Sequence, residues 1–589
     1  MDEKPKSIWK KSWTGWSGFL LSSVLVFAIV ETIGWLAGAD AGLTMSIAGI
    51  LIVVSSVMVF GACLFRWLFS WRNFKRFLFA FACFATLIAL TYAEEDWRGW
   101  HAWNQFKHEW EAKDEKFNFA SVVPPPVPDD QNFAMVPIWV ESIEAEYGTN
   151  VTRQWYGKKL TEQERAKLVD RLQMSLTAGY SDGPADGHGS WEKASLTDLK
   201  PWQNYYRTLA ATTNLFPVAP QPQTPAQDVL LALSKYDPAI EELRQAGQLP
   251  YSRFPLNYGE QPPAGILLPH LAVLKRCSMV LQLRAIAELQ NGESEKALDD
   301  VKLSLRLIDS IRTESFLISH LVRIAMLQIT LQPIWEGLAE HKWSDAQLAA
   351  LEMELAKLDL LEDYKLAMRG EMGLQGGNID YLIHPRQELP DMGFESGGSP
   401  PPRFISSLIP TGWFYQNRLN CARMMVEFYI PLTDVNQHTV SPAAVRHADG
   451  VMAAEITKRT TPFNVLEKML LPALGNAVKK FAYAQSSVDL ARVAIALERY
   501  RLAHGEFPES LDTLAPQFME KIPHDVIGGG PFHYRRTSDG QFVLYSVGWN
   551  ERDDGGVVET KVVGVTDRKS RNPIWDISQG DWVWRYPQK

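Results

Sequence analysis

Two stretches decide how the C-terminal part folds: Ala496–Phe518, ALERYRLAHGEFPESLDTLAPQF, and Pro531–Gly556, PFHYRRTSDGQFVLYSVGWNERDDGG. Ala491, Val493, Ala494, Leu497 and Tyr500 form an apolar face at helical spacing. The spacing predicts a helix that ends at His504, with Gly505 as the residue just past its end. Phe507-Pro508 must be extended. Phe542, Leu544 and Ser546 alternate with Val543, Tyr545 and Val547, as a strand requires, and Ser538-Asp539-Gly540 reads as the hairpin turn before it. Asp553-Asp554-Gly555-Gly556 then closes an acidic glycine loop. The expectation is a small α+β unit.

This text resembles the globular domain of the major pseudopilins of type II secretion. The likeness covers 480–557 and includes Ala496-Leu497-Glu498-Arg499-Tyr500, His504-Gly505-Glu506-Phe507-Pro508, Leu511, Leu514, Pro523, Asp525, Gly530-Pro531 and Tyr534. It implies a structural and assembly unit in a bacterial envelope. It also implies that the loop after the last strand can hold calcium, through Asn550, Asp553 and Asp554, which offer hard oxygen ligands. The spacing is not that of an EF-hand, and a plain polar turn is the competing reading. No basic leader, cleavage glycine and apolar helix with a fifth-position glutamate precede residue 480. The chain is therefore expected to borrow the fold without being processed as a pilus subunit, and fold alone carries no activity. The whole chain is also similar to a family of large bacterial membrane proteins that share phrases such as PPPVPDDQNFA, LISHLVRIA and ARVAIALERYRLAHG; that likeness brings no activity with it.

The N-terminal region reads as a membrane anchor over 1–96. Ser17–Gly38 and Leu43–Leu64 are 22 residues each, enough to cross a hydrocarbon core, and Phe77–Tyr92 is a shorter third span. An interfacial or re-entrant helix is the other reading of the third. Lys4, Lys6, Lys10 and Lys11, then Arg66, Arg72, Lys75 and Arg76, place the N-terminus in the cytoplasm and the bulk domain outside. In a bacterium this is the inner membrane with a periplasmic domain. The first span is too long for a cleaved signal peptide and lacks a clear cleavage site. Glu31 within it is either a functional intramembrane carboxylate or a residue near the outer interface.

Beyond the anchor, 97–134 reads as a charged helix (97–118) followed by a proline-rich spacer, Val122–Asp130, that holds the domain off the bilayer. Residues 135–375 form a mainly helical ectodomain. In it, Thr161 and Glu164 make a capping box, and Ser181–Ser190 (SDGPADGHGS) is a solvent-facing loop. LRAIAELQNGESEKALDDVKLSLRLID is a helix hairpin broken at Asn291-Gly292, and it looks like one tetratricopeptide-type unit with no ~34-residue repeat after it. Helices over Phe316–Leu338 and Asp345–Leu358 follow, the latter capped by Ser344 with Gln347. Arg284, Glu288, Arg306, Asp309, Arg312, Glu314 and Arg323 are either an anion- or peptide-binding cluster or, by preference, solvated faces. Residues 376–415 read as a loop-rich linker, 416–479 as a helical block, with a further helix from Asn464 to His504, and 558–589 as a C-terminal extension. Cys277 and Cys421 can pair or stay free, and Cys63 and Cys83 fill the spans.

The fold class expected is thus a mainly α, membrane-anchored protein: three N-terminal spans, an irregular helical ectodomain that is partly tetratricopeptide-like, and a small C-terminal α+β module. The net charge of −9 argues against nucleic acid as a partner. The expected function is a non-enzymatic scaffold that binds the membrane and other envelope proteins. The alternative is an exported hydrolase acting on cell wall or peptides, for which His384, His438 and His447 are candidates near carboxylates in sequence but outside any HExxH or GxSxG motif. Transport driven by Glu31 is a weaker third reading, since three spans are few.

Overall fold

The computed structural model describes residues 71–139, 174–177, 183–383, 409–471, 474–561 and 574–587, together with a few scattered positions before 60 and Ile143. The chain divides into two compact units, 1–95 and 96–589. The described elements are mostly helical, with small sheets near the C-terminus.

In the first unit the expected spans 17–38 and 43–64 fall, apart from scattered helical positions, outside the described residues. The third expected span lies in α1, Trp71–Glu111. This helix is continuous through what reads in sequence as a span and a separate charged helix. Two described helices, rather than three, have the length and apolarity to cross a membrane: α1, whose apolar window is entirely unburied, and Leu317–Ala339, whose window is mostly buried inside the second unit.

From Asp96 onward α1 belongs to the second unit, where Trp103 and Phe106 are buried with Phe117 and Phe119. The proline segment that follows is not a stand-off spacer. Pro124 is buried, its carbonyl accepts from the Arg253 side chain at 3.1 Å, and Val122 and Val123 pack on the core. Proline fixes extended backbone, but the aromatic residues on either side determine what that backbone lies against.

The helices of the second unit are α2 (Leu199–Ala210), α3 (Pro225–Leu233), α4 (Asp237–Ala246), α5 (His270–Asn291), α6 (Ser294–Asp309), α7 (Leu317–Ala339), α8 (Asp345–Leu355), α9 (Leu360–Ile383), α10 (Thr411–Met424), α11 (Pro442–Thr457), α12 (Val465–Leu470) and α13 (Gly475–His504). The α5–α6 hairpin turns at Gly292, where φ is +82°, as its sequence predicts. Ser344 and Gln347 form the predicted capping box of α8. The glycine pair 376–377 does not open a linker: it sits in the last turns of α9, with Gly377 facing Pro263. The described chain resumes at 409, just before α10.

α13 is the centre of the unit. It packs against α7, α8 and α9 and against the sheet β3–β4–β7: β3 (His533–Arg536), β4 (Phe542–Ser546) and β7 (Trp582–Arg585). From Phe481 to Glu498 every residue except Arg492 is buried, including Ser486, Ser487 and Asp489. Small side chains around most of the circumference let neighbouring helices approach from several sides, so the one-faced helix expected from the sequence is instead an enclosed one. Its upstream part is also shorter than expected, since α12 ends at Leu470 and α13 begins at Gly475. Gly505 caps it at φ +86° as predicted.

β3 and β4 form the expected hairpin, with Thr537 and Gln541 hydrogen-bonded across the turn. The third strand, β7, pairs antiparallel with β4 and comes from 558–589, the part that reads in sequence as an extension beyond the module. Between them lies a second antiparallel pair, β5 (Val558–Lys561) with β6 (Ile574–Gly580). A further two-residue pair, β1 (Thr433–Asp434) with β2 (Thr439–Val440), stands between α10 and α11.

Candidate functional site

Pairing across the three-stranded sheet sorts its side chains into two faces. Tyr534, Leu544 and Trp584 lie opposite one another, and Leu544 and Trp584 are fully buried toward the body. The neighbouring rows therefore lie on the opposite face: Arg535–Val543–Arg585, and His533–Tyr545–Val583, of which Tyr545 and Val583 are themselves buried. The acidic glycine loop folds back over the second row. Tyr545 donates its hydroxyl to Asp553 at 2.9 Å, His533 Nδ1 lies 3.3 Å from the same carboxylate, and the two rings stack 5.0 Å apart.

Within the loop, Asn550 donates its amide to Asp554 at 2.7 Å and accepts from the Arg552 N–H at 3.0 Å. Asp553 accepts from the Gly555 N–H at 2.9 Å. Calcium needs six to eight oxygens converging at about 2.3–2.6 Å. Here the Asn550 amide turns its N–H toward Asp554, and the Asp553 oxygens are taken by Tyr545, Gly555 and His533. As they stand, the polar side chains of the loop bond one another, the loop backbone and the strand residues Tyr545 and His533. Among the described residues no group of three His, Cys, Asp or Glu side chains can hold a metal ion.

Two buried aspartates hold the surrounding loops. Asp581 accepts from the Gly556 N–H at 2.7 Å and the Asp554 N–H at 3.3 Å. Asp525 accepts from Ile527 N–H at 2.9 Å, the Ser546 hydroxyl at 2.8 Å and Val547 N–H at 3.1 Å. Burial raises both carboxyls, Asp525 to about 6 against the opposing pull of its donors. Sequence reasoning assigns no role to Asp581. No local signal marks it, because its donors lie 25 and 27 positions away in the chain.

Of the hydrolase candidates, His384 lies outside the described residues. His447 packs its ring 6.1 Å from that of Phe428. His438 is held at φ +52°, with Nε2 3.9 Å from the buried Asp489 and Nδ1 4.0 Å from Asp359. Asp489 foremost raises its pKa. The His524 ring stands perpendicular to it at 6.1 Å, beside an open cleft of about 420 Å³ lined by Thr439, Ser441, Gly528, Gly529 and Glu551.

The charged cluster of the helical body is not a solvated face. Arg284 joins Asp300, Asp237 and Glu288, and Arg323 joins Asp363 and the Ile308 carbonyl, with Arg284, Glu288, Asp300 and Arg323 all buried. Glu314 bridges His270 Nε2 at 2.7 Å and the Ser319 hydroxyl. Arg306 and Arg312 remain nearer the surface with Asp309. The described part of the glycine-rich loop is packed on one side, with Gly187 buried, while Ala185, Asp186 and His188 are exposed as expected. A Cβ at Gly183 would stand 2.6 Å from the buried Trp202 indole, which donates to the Gly187 carbonyl at 3.1 Å. Cys277 and Cys421 are both free and buried.

Comparison with protein-family models, curated proteins and solved structures finds no match for this chain.

Proposed function

We propose that the chain is a membrane-anchored scaffold of the bacterial envelope, with its N-terminus in the cytoplasm and residues beyond about 93 on the outer side of the inner membrane. The observation that carries this reading is the contrast between the two apolar helices. The body encloses most of the α7 window, while none of the α1 window is covered by protein. An apolar stretch of that length is stable where lipid surrounds it. Basic residues before α1 and within its first turns, against Glu94, Glu95 and Asp96 after the apolar stretch, support the orientation. The helix–hairpin text around α13 supports a pseudopilin-like end used for assembly with other envelope proteins.

The test is carbonate extraction of membranes followed by protease treatment from each side. Retention in the pellet, with cleavage of the body only from the non-cytoplasmic side, is the expected result. Release by carbonate, or cleavage of the body from the cytoplasmic side, overturns it. The scaffold part is tested by cross-linking in intact cells: a partner recovered at fixed stoichiometry from the wild type, and lost when only 1–95 is expressed, is expected.

A further inference from the structure

The outward row of the C-terminal sheet opens into a cleft of about 910 Å³ between the β3–β4 hairpin and the loop that carries Lys193. Its cations are Lys193, Arg535 and Arg585, and Arg536 reaches its edge. Arg536 is neutralised by Glu506 and Glu509 at 2.9 and 2.6 Å. The Asp539 carboxylate in the wall is engaged by Thr537 and the Gln541 N–H. Arg535 makes one long contact, 3.5 Å, to the Gly555 carbonyl. No ion pair is formed by Arg535 or Arg585 among the described residues of a chain whose acids outnumber its Lys and Arg. Two further features mark the walls. Ala194, beside Lys193, is held at φ +53°, a conformation that favours glycine. Gln541 Oε1 is buried with no hydrogen-bond partner among the described residues.

We infer that this cleft binds an extended acidic segment of a partner protein, with carboxylates on one face of the segment received by Arg535 and Arg585. Direct cross-strand partners project to the same side, so Arg535, Val543 and Arg585 form one row. The two arginines are two strands apart, about 10 Å at the usual strand spacing. A single small anion reaches one of them. An extended chain repeats its same-face side chains about every 6.7 Å, and two flexible guanidinium forks span the remainder while Val543 lies beneath the peptide backbone between them. Arginine is the side chain best matched to such a carboxylate, through two parallel hydrogen bonds. A rotation of Gln541 toward the cleft offers its acceptor to a peptide N–H. This proposal deepens the scaffold reading by naming the chemistry of the partner.

The experiment uses the full-length protein in detergent and a fluorescein-labelled decapeptide of alternating glutamate and valine, read by anisotropy. Saturable binding is expected, weakened about tenfold or more by R535Q or R585Q and by the glutamine version of the peptide, and unchanged by millimolar inorganic phosphate. The double variant R535E/R585E should instead bind a lysine–valine peptide, which separates loss of charge from loss of folding. Equal binding of the glutamate and glutamine peptides, or no effect of the arginine variants, overturns the proposal. So does binding of phosphate, or of phosphatidylglycerol vesicles, in preference to the peptide. The anchor and partner tests of the previous section are independent of this measurement, so either reading can fail alone.

Discussion

Replacing Asp525 by asparagine removes one titrating carboxyl while keeping its size. In the folded protein Asp525 is 2% exposed and titrates at about 6. In the unfolded chain an aspartate titrates near 3.9. The folded state therefore holds this proton over roughly pH 4–6 and the unfolded state does not. The contribution of this group to stability is greatest below about pH 4 and falls as pH rises through 6. The difference of about two pKa units corresponds to about 3 kcal/mol. The amide in D525N has no such slope, so the variant should lose ground against the wild type by about 2 kcal/mol as pH falls from 7 to 4, where the unfolded aspartate is already about half protonated. D525A should cost about 3 kcal/mol or more at either pH, because Ile527 N–H, Val547 N–H and the Ser546 hydroxyl lose their shared acceptor. Urea unfolding of the detergent-solubilised protein, followed by tryptophan fluorescence at a series of pH values, reads both. Other buried acids, such as Glu336 at about 7, add slopes of their own, so the quantity that matters is the difference between wild type and D525N. A difference that does not change between pH 4 and 7 refutes the reasoning.

Three other outcomes follow from the packing. W202A should cost about 3–5 kcal/mol and make the Gly183–Ser190 loop newly sensitive to limited proteolysis, since the loop rests on that indole. R323M should cost about 3–5 kcal/mol by leaving Asp363 buried beside a lost cation, and the double variant R323M/D363L should recover most of it; equal losses in urea unfolding would contradict the pairing. H438Q should abolish a contribution to stability that the wild type has below the ordinary histidine range and loses as pH rises through the elevated value set by Asp489, measured as wild type minus variant between pH 5 and 8.

Features set by a few neighbouring residues are legible in this sequence. Ser344 with Gln347, Gly292, Gly505 and Ser538-Asp539-Gly540 each act through bonds or dihedrals within about four residues, and each is where the reading puts it. Features that depend on distant partners are not. The Pro124 carbonyl meets Arg253, 129 positions away, so a segment that looks like a spacer is laid against the body. Likewise β7 reaches β4 only after the β5–β6 pair intervenes, and WVWR at 582–585 has no local signal of which strand it joins.

The charged side chains of the helical body show why composition misleads at the core. Charges spaced three or four apart on a helix ordinarily indicate a wet face. In α5 the helix is covered by α3, α6 and α7, so Arg284 and Glu288 have no wet side to occupy. They are tolerated because Asp300 and Asp237 on neighbouring helices supply the opposite charge. A buried pair of this kind adds little net stability over apolar residues, but a helix that slips in register strands its charges. The same distinction gives the outer sheet face its significance: Arg284 and Arg323 in the body are matched by the buried Asp300 and Asp363, whereas Arg535 and Arg585 face a cleft and form no ion pair among the described residues. A partner that supplies the missing carboxylates does for them what Asp300 does for Arg284.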